Sequence, residues 1–154
     1  MIRDSRLSGV LHLLLHLAEN KRPVPSEVLA KAMDTNPAVI RRTLAGLRER
    51  GHVRSEKGHG GGWTLTRRLD ELTLHDVYEA LGRPAMFAIG NRSQAPQCLV
   101  EQAVNAALDK TFDAAEALLL ERLRRVTLAD LDADFRARFA ARTTLCEKDP
   151  PHGR

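Results

Sequence analysis

Apolar residues recur at helical spacing in three consecutive segments near the N-terminus, and polar turns separate them. The first predicted helix spans residues 6–19. The second begins at Ser26, whose hydroxyl is predicted to cap its first turn. The third spans residues 37–50, with Asn36 as its N-cap and Pro37 at its first position. The apolar positions are Leu7, Val10, Leu11, Leu14 and Leu17, then Val28, Leu29, Ala32 and Met33, then Ile40, Leu44 and Leu47.

Two short alternating runs follow, at residues 52–56 and 63–66, on either side of the glycine-rich stretch 57–62. This pattern predicts a β-hairpin. A glycine-rich loop that holds phosphate leads into a helix, whereas here a strand follows, so the glycines indicate a tight turn. Three helices followed by a hairpin are typical of a winged helix-turn-helix domain, and we predict one over residues 1–81.

The C-terminal half predicts a long helix. A capping-box pattern from Thr73 to Asp76 opens a short helix, and residues 82–97 lack periodicity and indicate a loop. Helical spacing then continues from residue 98 to about residue 126. A helix of roughly 28 residues spans about 42 Å, more than this domain's own core covers, so we expect it to pair with a second copy of the chain.

A last helix is predicted to start at Thr127 and to place Leu131, Phe135 and Phe139 on one face. We therefore expect dimerisation helices over residues 98–146 and a disordered tail over residues 147–154. The predicted fold class is mainly α with a small β-hairpin, a winged helix-turn-helix domain joined to a long dimerisation helix.

Charge changes this picture because it is uneven. The 154 residues carry a net charge of +4, but residues 1–68 hold 13 Lys and Arg against 6 Asp and Glu, and the remainder is net negative. A basic N-terminal part suggests a polyanion partner, while a random surface excess is the open alternative. With no apolar run near 18 residues and no secretory pattern, we expect a cytoplasmic protein without a membrane span.

Small and cationic residues occupy the outward side of the third predicted helix. As the second helix of a helix-turn-helix, its N-terminal half is the part that enters a DNA major groove. We predict DNA contacts from Arg41 and Arg42, and a weaker one from Arg48 farther along, because guanidinium pairs with guanine edges and phosphate. Lys57 and His59 lie at the predicted wing tip. A solvated helix face is the alternative interpretation.

No catalytic or metal-binding pattern is present, so we predict neither an enzyme nor a metal site. His12 and His16 lack the glutamate of a zinc-protease motif, and neither Cys98 nor Cys146 belongs to a paired-cysteine motif. Cys98 falls at the predicted N-terminus of the long helix, where the helix dipole favours thiolate. Cys98 is therefore a candidate for redox sensing, with a small buried apolar residue as the alternative.

Three stretches together resemble one family: residues 36–51 (NPAVIRRTLAGLRERG), 58–65 (GHGGGWTL) and 72–81 (LTLHDVYEAL). They resemble the Rrf2 family of winged-helix transcription regulators, of the IscR, NsrR and CymR type. The later stretches 98–101 and 126–131 also fit its dimerisation region. The resemblance implies a homodimeric DNA-binding regulator, often a repressor, on a near-palindromic double-stranded operator. It assigns DNA contacts to Asn36, Ala38, Arg41, Arg42, Lys57 and His59.

The best-known members of that family hold an iron–sulfur cluster with three cysteines. Here Cys98 matches only the last of them, Glu101 stands where some members carry a histidine ligand, and residues 88–97 contain no cysteine. We therefore predict no cofactor of this kind, since such clusters need about four ligands. A single-thiol switch, a small ligand near the dimer helices, or no signal remain open. So do two other classes: a winged-helix module that binds protein or RNA, and a ligand or metal sensor using the loop 82–96.

Overall fold

A computed structural model describes residues 4–93, 95 and 97–147, with side chains as far as residue 142. The helices are α1 (Arg6–Ala18), α2 (Ser26–Ala32), α3 (Pro37–Glu49), α4 (Leu74–Ala80), α5 (Leu99–Arg125) and α6 (Leu128–Glu147). The strands are β1 (Val53–Glu56) and β2 (Gly62–Leu65), and a 3₁₀ turn covers Leu69–Glu71. This order confirms the predicted fold class. No helix in the described ranges combines the length and apolarity that crossing a membrane requires.

The core lies where the first four helices meet the hairpin. Its buried apolar residues are Val10, Leu13, Leu14, Leu17, Val24, Leu29, Ala30, Ile40, Leu44, Leu47, Val53, Trp63, Leu72, Val77 and Leu128. The predicted inward positions of α3, at Ile40, Leu44 and Leu47, are among them. Val28 and Ala32 of α2 are exceptions, because both are exposed, Val28 to 54%. A seven-residue helix is too short for its periodicity to identify one buried face reliably.

Ser26 does not cap α2, so that prediction was wrong. The N-cap is Pro25, and Ser26 is the first helical residue. Its buried Oγ accepts a hydrogen bond of 3.0 Å from Nε1 of Trp63 in β2. A buried indole N–H requires an acceptor, and this requirement comes from a residue 37 positions away. The serine therefore joins the helix-turn-helix to the hairpin.

We expect Ser26→Ala to lower the free energy of unfolding by about 1–3 kcal/mol, because the Trp63 indole N–H then stays buried without an acceptor. Urea unfolding measures the loss. Ser8→Ala on exposed α1 surface is the control and should stay within about 0.5 kcal/mol of the unchanged chain. In a Trp63→Phe background, Ser26→Ala should cost clearly less; an unchanged cost there would contradict the assigned role.

The hairpin is antiparallel, with Val53 opposite Leu65 and Glu56 opposite Gly62. On the outer side of β2, Val24 and Trp63 exchange two backbone hydrogen bonds of 2.9 Å. A Cβ on Gly62 would lie 2.4 Å from the carbonyl carbon of Val24, so only glycine permits this approach. The hairpin is thereby fixed beside the segment that leads into α2.

The remaining helices, α4, α5 and α6, pack against different parts of the domain. Helix α4 begins with the predicted capping box, in which Thr73 Oγ1 accepts from Asp76 N at 3.1 Å and Asp76 Oδ2 accepts from Thr73 N at 2.9 Å. Helix α5 packs against α4 and, at 1.5 Å per residue, is about 40 Å long. Helix α6 begins at the predicted point, after Thr127, and packs against α1 and the 3₁₀ turn. The predicted tail lies outside the described residues from residue 148 onward.

Candidate nucleic-acid interface

Helix α3 presents the predicted contact residues on its exposed side. Its start is set by Asn36, whose side-chain oxygen accepts from Val39 N at 3.0 Å, as predicted from the Asn-Pro pair. The exposed residues are Asn36, Ala38, Arg41, Arg42 and Arg48. The buried Ile40, Leu44 and Leu47 hold the opposite side in the core. The structure therefore brings these five residues together on one rigid element.

Arg41 has an acidic neighbour that sequence reasoning missed. Its Nη1 lies 3.7 Å from Oε1 of Glu27 in α2, and both side chains are more than half exposed. Such a surface pair contributes little free energy, so the guanidinium stays available to a phosphate or a base edge. Glu27 was missed because it lies on another helix and reaches Arg41 only through the packing of α2 against α3.

The wing residues lie in the turn between the two strands. Lys57 and His59 are both exposed there, as predicted. Gly58 and Gly60 have φ of +92° and +78°, a backbone conformation that glycine adopts without steric cost. The turn therefore carries one lysine and one imidazole at the far end of the hairpin.

Further cations lie at the base of the hairpin. Lys21, Arg54, Arg67 and Arg68 line a shallow groove of about 360 Å³ there. Arg54 pairs with Glu56 at 3.3 Å, and Arg68 pairs with Asp70. These residues belong to the N-terminal charge excess, which was the signal that could have identified them. They extend the positive surface from the turn toward the body of the domain.

Cys98 is the N-cap of α5, as predicted, and its side chain is exposed. The backbone N–H groups of Glu101 and Val100, in the first turn of α5, favour the thiolate and lower the pKa of the Cys98 thiol below the usual range. In the part of the chain that is described, no three His, Cys, Asp or Glu side chains are placed to hold a metal ion. Cys98 offers a single thiolate donor, whereas a three-cysteine cluster takes three from the protein.

Helix α5 has an exposed stripe with alternating spacings of four and three residues. The stripe consists of Val100, Val104, Ala107, Thr111, Ala114 and Leu118. Leu118 is 60% exposed, while Leu120 on another side of the helix is buried. This spacing is typical of the seam of a two-stranded coiled coil, and the residues at its centre are small.

Three comparisons with known proteins agree. The family model Rrf2, described as an iron-dependent transcriptional regulator, matches residues 3–134. YwnA of Bacillus subtilis, named as an HTH-type transcriptional regulator, is 27% identical over 128 residues, which is 83% of this chain and 95% of YwnA. A transcriptional regulator structure from Lactobacillus plantarum superposes with a TM-score of 0.74 at 25% identity, over 96% of this chain and 100% of that one. The fold of B. subtilis CymR matches at a TM-score of 0.58 and 22% identity, over 86% and 96%.

Proposed function

The chain belongs to the Rrf2 family of transcriptional regulators, which are DNA-binding proteins and not enzymes, and from this we propose that it works as a homodimer on a near-palindromic operator in the cytoplasm and represses transcription. The observation that carries the proposal is the exposed, cationic side of α3. This side combines the small Ala38 with three arginines, Arg41, Arg42 and Arg48.

In the proposed complex, α3 enters the major groove. Ala38 lets the helix approach the base edges closely, while Arg41 and Arg42 donate hydrogen bonds to guanine edges or phosphate oxygens. Lys57 and His59 reach the flanking minor groove or its phosphates. The cations at the base of the hairpin add contacts to the backbone. Because many of these contacts neutralise phosphate, affinity should fall steeply as salt rises.

Dimerisation supplies the second half-site. The apolar surface of the α5 stripe is removed from water only if another helix packs on it. A second copy of α5 offers the same stripe. Two α3 helices related by a two-fold axis then reach successive major-groove faces, about 34 Å apart. A near-palindromic operator is the DNA sequence that matches this symmetry.

Selection from genomic DNA tests the proposed function. The full chain is incubated with sheared genomic fragments at a physiological salt concentration, and the bound fragments are sequenced. We expect a few enriched fragments that share one inverted repeat, and repression when that repeat overlaps a promoter in a purified transcription assay. Uniform recovery of fragments would contradict a sequence-specific regulator and favour a module for RNA or protein partners.

A redox role for Cys98 stays a prediction. If its thiolate is the sensor, mild hydrogen peroxide should change operator affinity several-fold in the unchanged chain, because an exposed thiolate is the form that peroxide oxidises to sulfenic acid. The measurement is fluorescence anisotropy on the selected operator. Cys98→Ser should abolish the response, and an identical response in both proteins would remove Cys98 from the mechanism.

A further inference from the structure

We infer that the cleft between α1 and α3 binds a small apolar molecule bearing one anionic group. The cleft has a volume of about 650 Å³, within the range of ligand pockets. Helix α1 forms one wall and α3 the other, and Ala80 and Leu81 at the end of α4 close one side. Most of the lining is apolar, and Ser5, Thr35 and Thr43 contribute hydroxyls. A ligand placed here would contact the inner edge of the proposed recognition helix.

Gly9 forms part of the α1 wall of the cleft and places no side chain in it. Glycine inside a helix costs about 1 kcal/mol relative to alanine, so a helical glycine usually has a steric reason. At Gly46 the reason is visible, because a Cβ there would lie 2.3 Å from the carbonyl oxygen of Ala80 in α4. At Gly9 a Cβ would meet nothing within 4 Å. The space beside Gly9 is therefore open in the folded chain, so a methyl group fits there and a larger side chain would occupy cleft volume.

Charge selects the class of ligand. Two arginines line the cleft, and one of them, Arg6, is already held by Asp4 through its Nε at 2.9 Å and its Nη2 at 2.6 Å. Arg42 is exposed, and within the described ranges no acidic side chain pairs with it. A carboxylate with an apolar body would bury that body between the helices and pair with the guanidinium of Arg42. A neutral molecule would form no ion pair with Arg42.

The binding test uses no DNA. Benzoate, 4-phenylbutyrate and 2-naphthoate are each titrated calorimetrically into the full chain beside the corresponding carboxamide. We expect at least one carboxylate to bind one site per chain, roughly tenfold tighter than its amide, and to shift the backbone amide signals of Gly9 and Gly46. Absence of saturable binding by all three, or shifts confined to the α5 stripe, would overturn the inference.

Two variants check the location. Gly9→Leu fills the cleft and should abolish binding, while the matched Gly9→Ala leaves room and should retain it. Arg42→Gln, an exposed change that does not touch the core, should bring the carboxylate's affinity down to that of the amide. Carboxylate binding that survives both Gly9→Leu and Arg42→Gln would overturn the site.

A regulatory consequence rests on the proposed function. Arg42 lies on the border between the cleft and the exposed side of α3, so a carboxylate that pairs with it withdraws one DNA contact. The binding carboxylate should therefore weaken operator affinity by roughly tenfold in the unchanged chain and leave Gly9→Leu unaffected. Binding without any change in operator affinity would overturn this consequence alone, and failure to select any operator would overturn the proposed function instead.

Discussion

Replacing Arg41 and Arg42 together by alanine is expected to lower operator affinity by roughly 100-fold or more, because each guanidinium contact to a base contributes about 1–3 kcal/mol. Both side chains are exposed on α3, and the residues that hold the helix in the core are untouched. Thermal stability should therefore stay nearly unchanged. The slope of log affinity against log salt should also decrease in magnitude by about two, roughly one for each cation removed. Fluorescence anisotropy on the selected operator measures the affinity and its salt dependence.

A matched double substitution controls for the loss of two positive charges. Arg122→Ala with Arg124→Ala removes them near the C-terminal end of α5, where both side chains are exposed. This control should lose at most a few-fold in affinity, since it lies outside the proposed interface. Equal losses in the two double variants would mean that net charge, and not the face of α3, determines DNA binding.

Replacing Val104 and Leu118 together by aspartate should convert the proposed dimer into a monomer. Both residues are exposed in the single chain and lie on the stripe where the second α5 is proposed to pack. Four carboxylates would then be buried in one dimer seam, at a cost of several kcal/mol that the interface does not offset. Sedimentation velocity at micromolar concentration should show monomer. Operator affinity should fall by roughly 100-fold or more, because each monomer reaches one half-site only.

The control for this variant stays on α5 and changes the same chemistry. Ala106→Asp with Ala117→Asp introduces two aspartates at exposed positions away from the stripe. That protein should remain dimeric and bind the operator with nearly unchanged affinity. A dimer that persists in Val104→Asp with Leu118→Asp would contradict the assigned seam, and a monomer in both double variants would indicate loss of the α5 helix itself.

Local signals in the sequence were enough to predict most elements. The Asn-Pro pair before α3 and the Thr-to-Asp capping boxes before α4 and α6 act within four residues, so the sequence alone identifies them. The hairpin likewise follows from two alternating runs around glycines. The exposed side of α3 was predictable for the same reason, because its buried positions recur at helical spacing.

Features that depend on distant partners were not predictable. Ser26 matches the composition of a cap, but the Trp63 indole takes its oxygen in the folded chain. The neighbour of Arg41 comes from another helix, and only the packed structure shows which of the glycines Gly9 and Gly46 is sterically required. Helical spacing also did not separate the side of α5 that packs on α4, marked by the buried Leu120, from the stripe that stays exposed.

Hydroxyl-radical footprinting of the full chain on its selected operator tests the central claim most directly. If two α3 helices of one dimer occupy successive major grooves, two protected tracts should appear with inverted symmetry, centred about 10 base pairs apart. Arg41→Ala with Arg42→Ala should weaken both tracts equally. A single protected tract, or protection without inverted symmetry, would contradict a homodimer that reads a near-palindrome with α3.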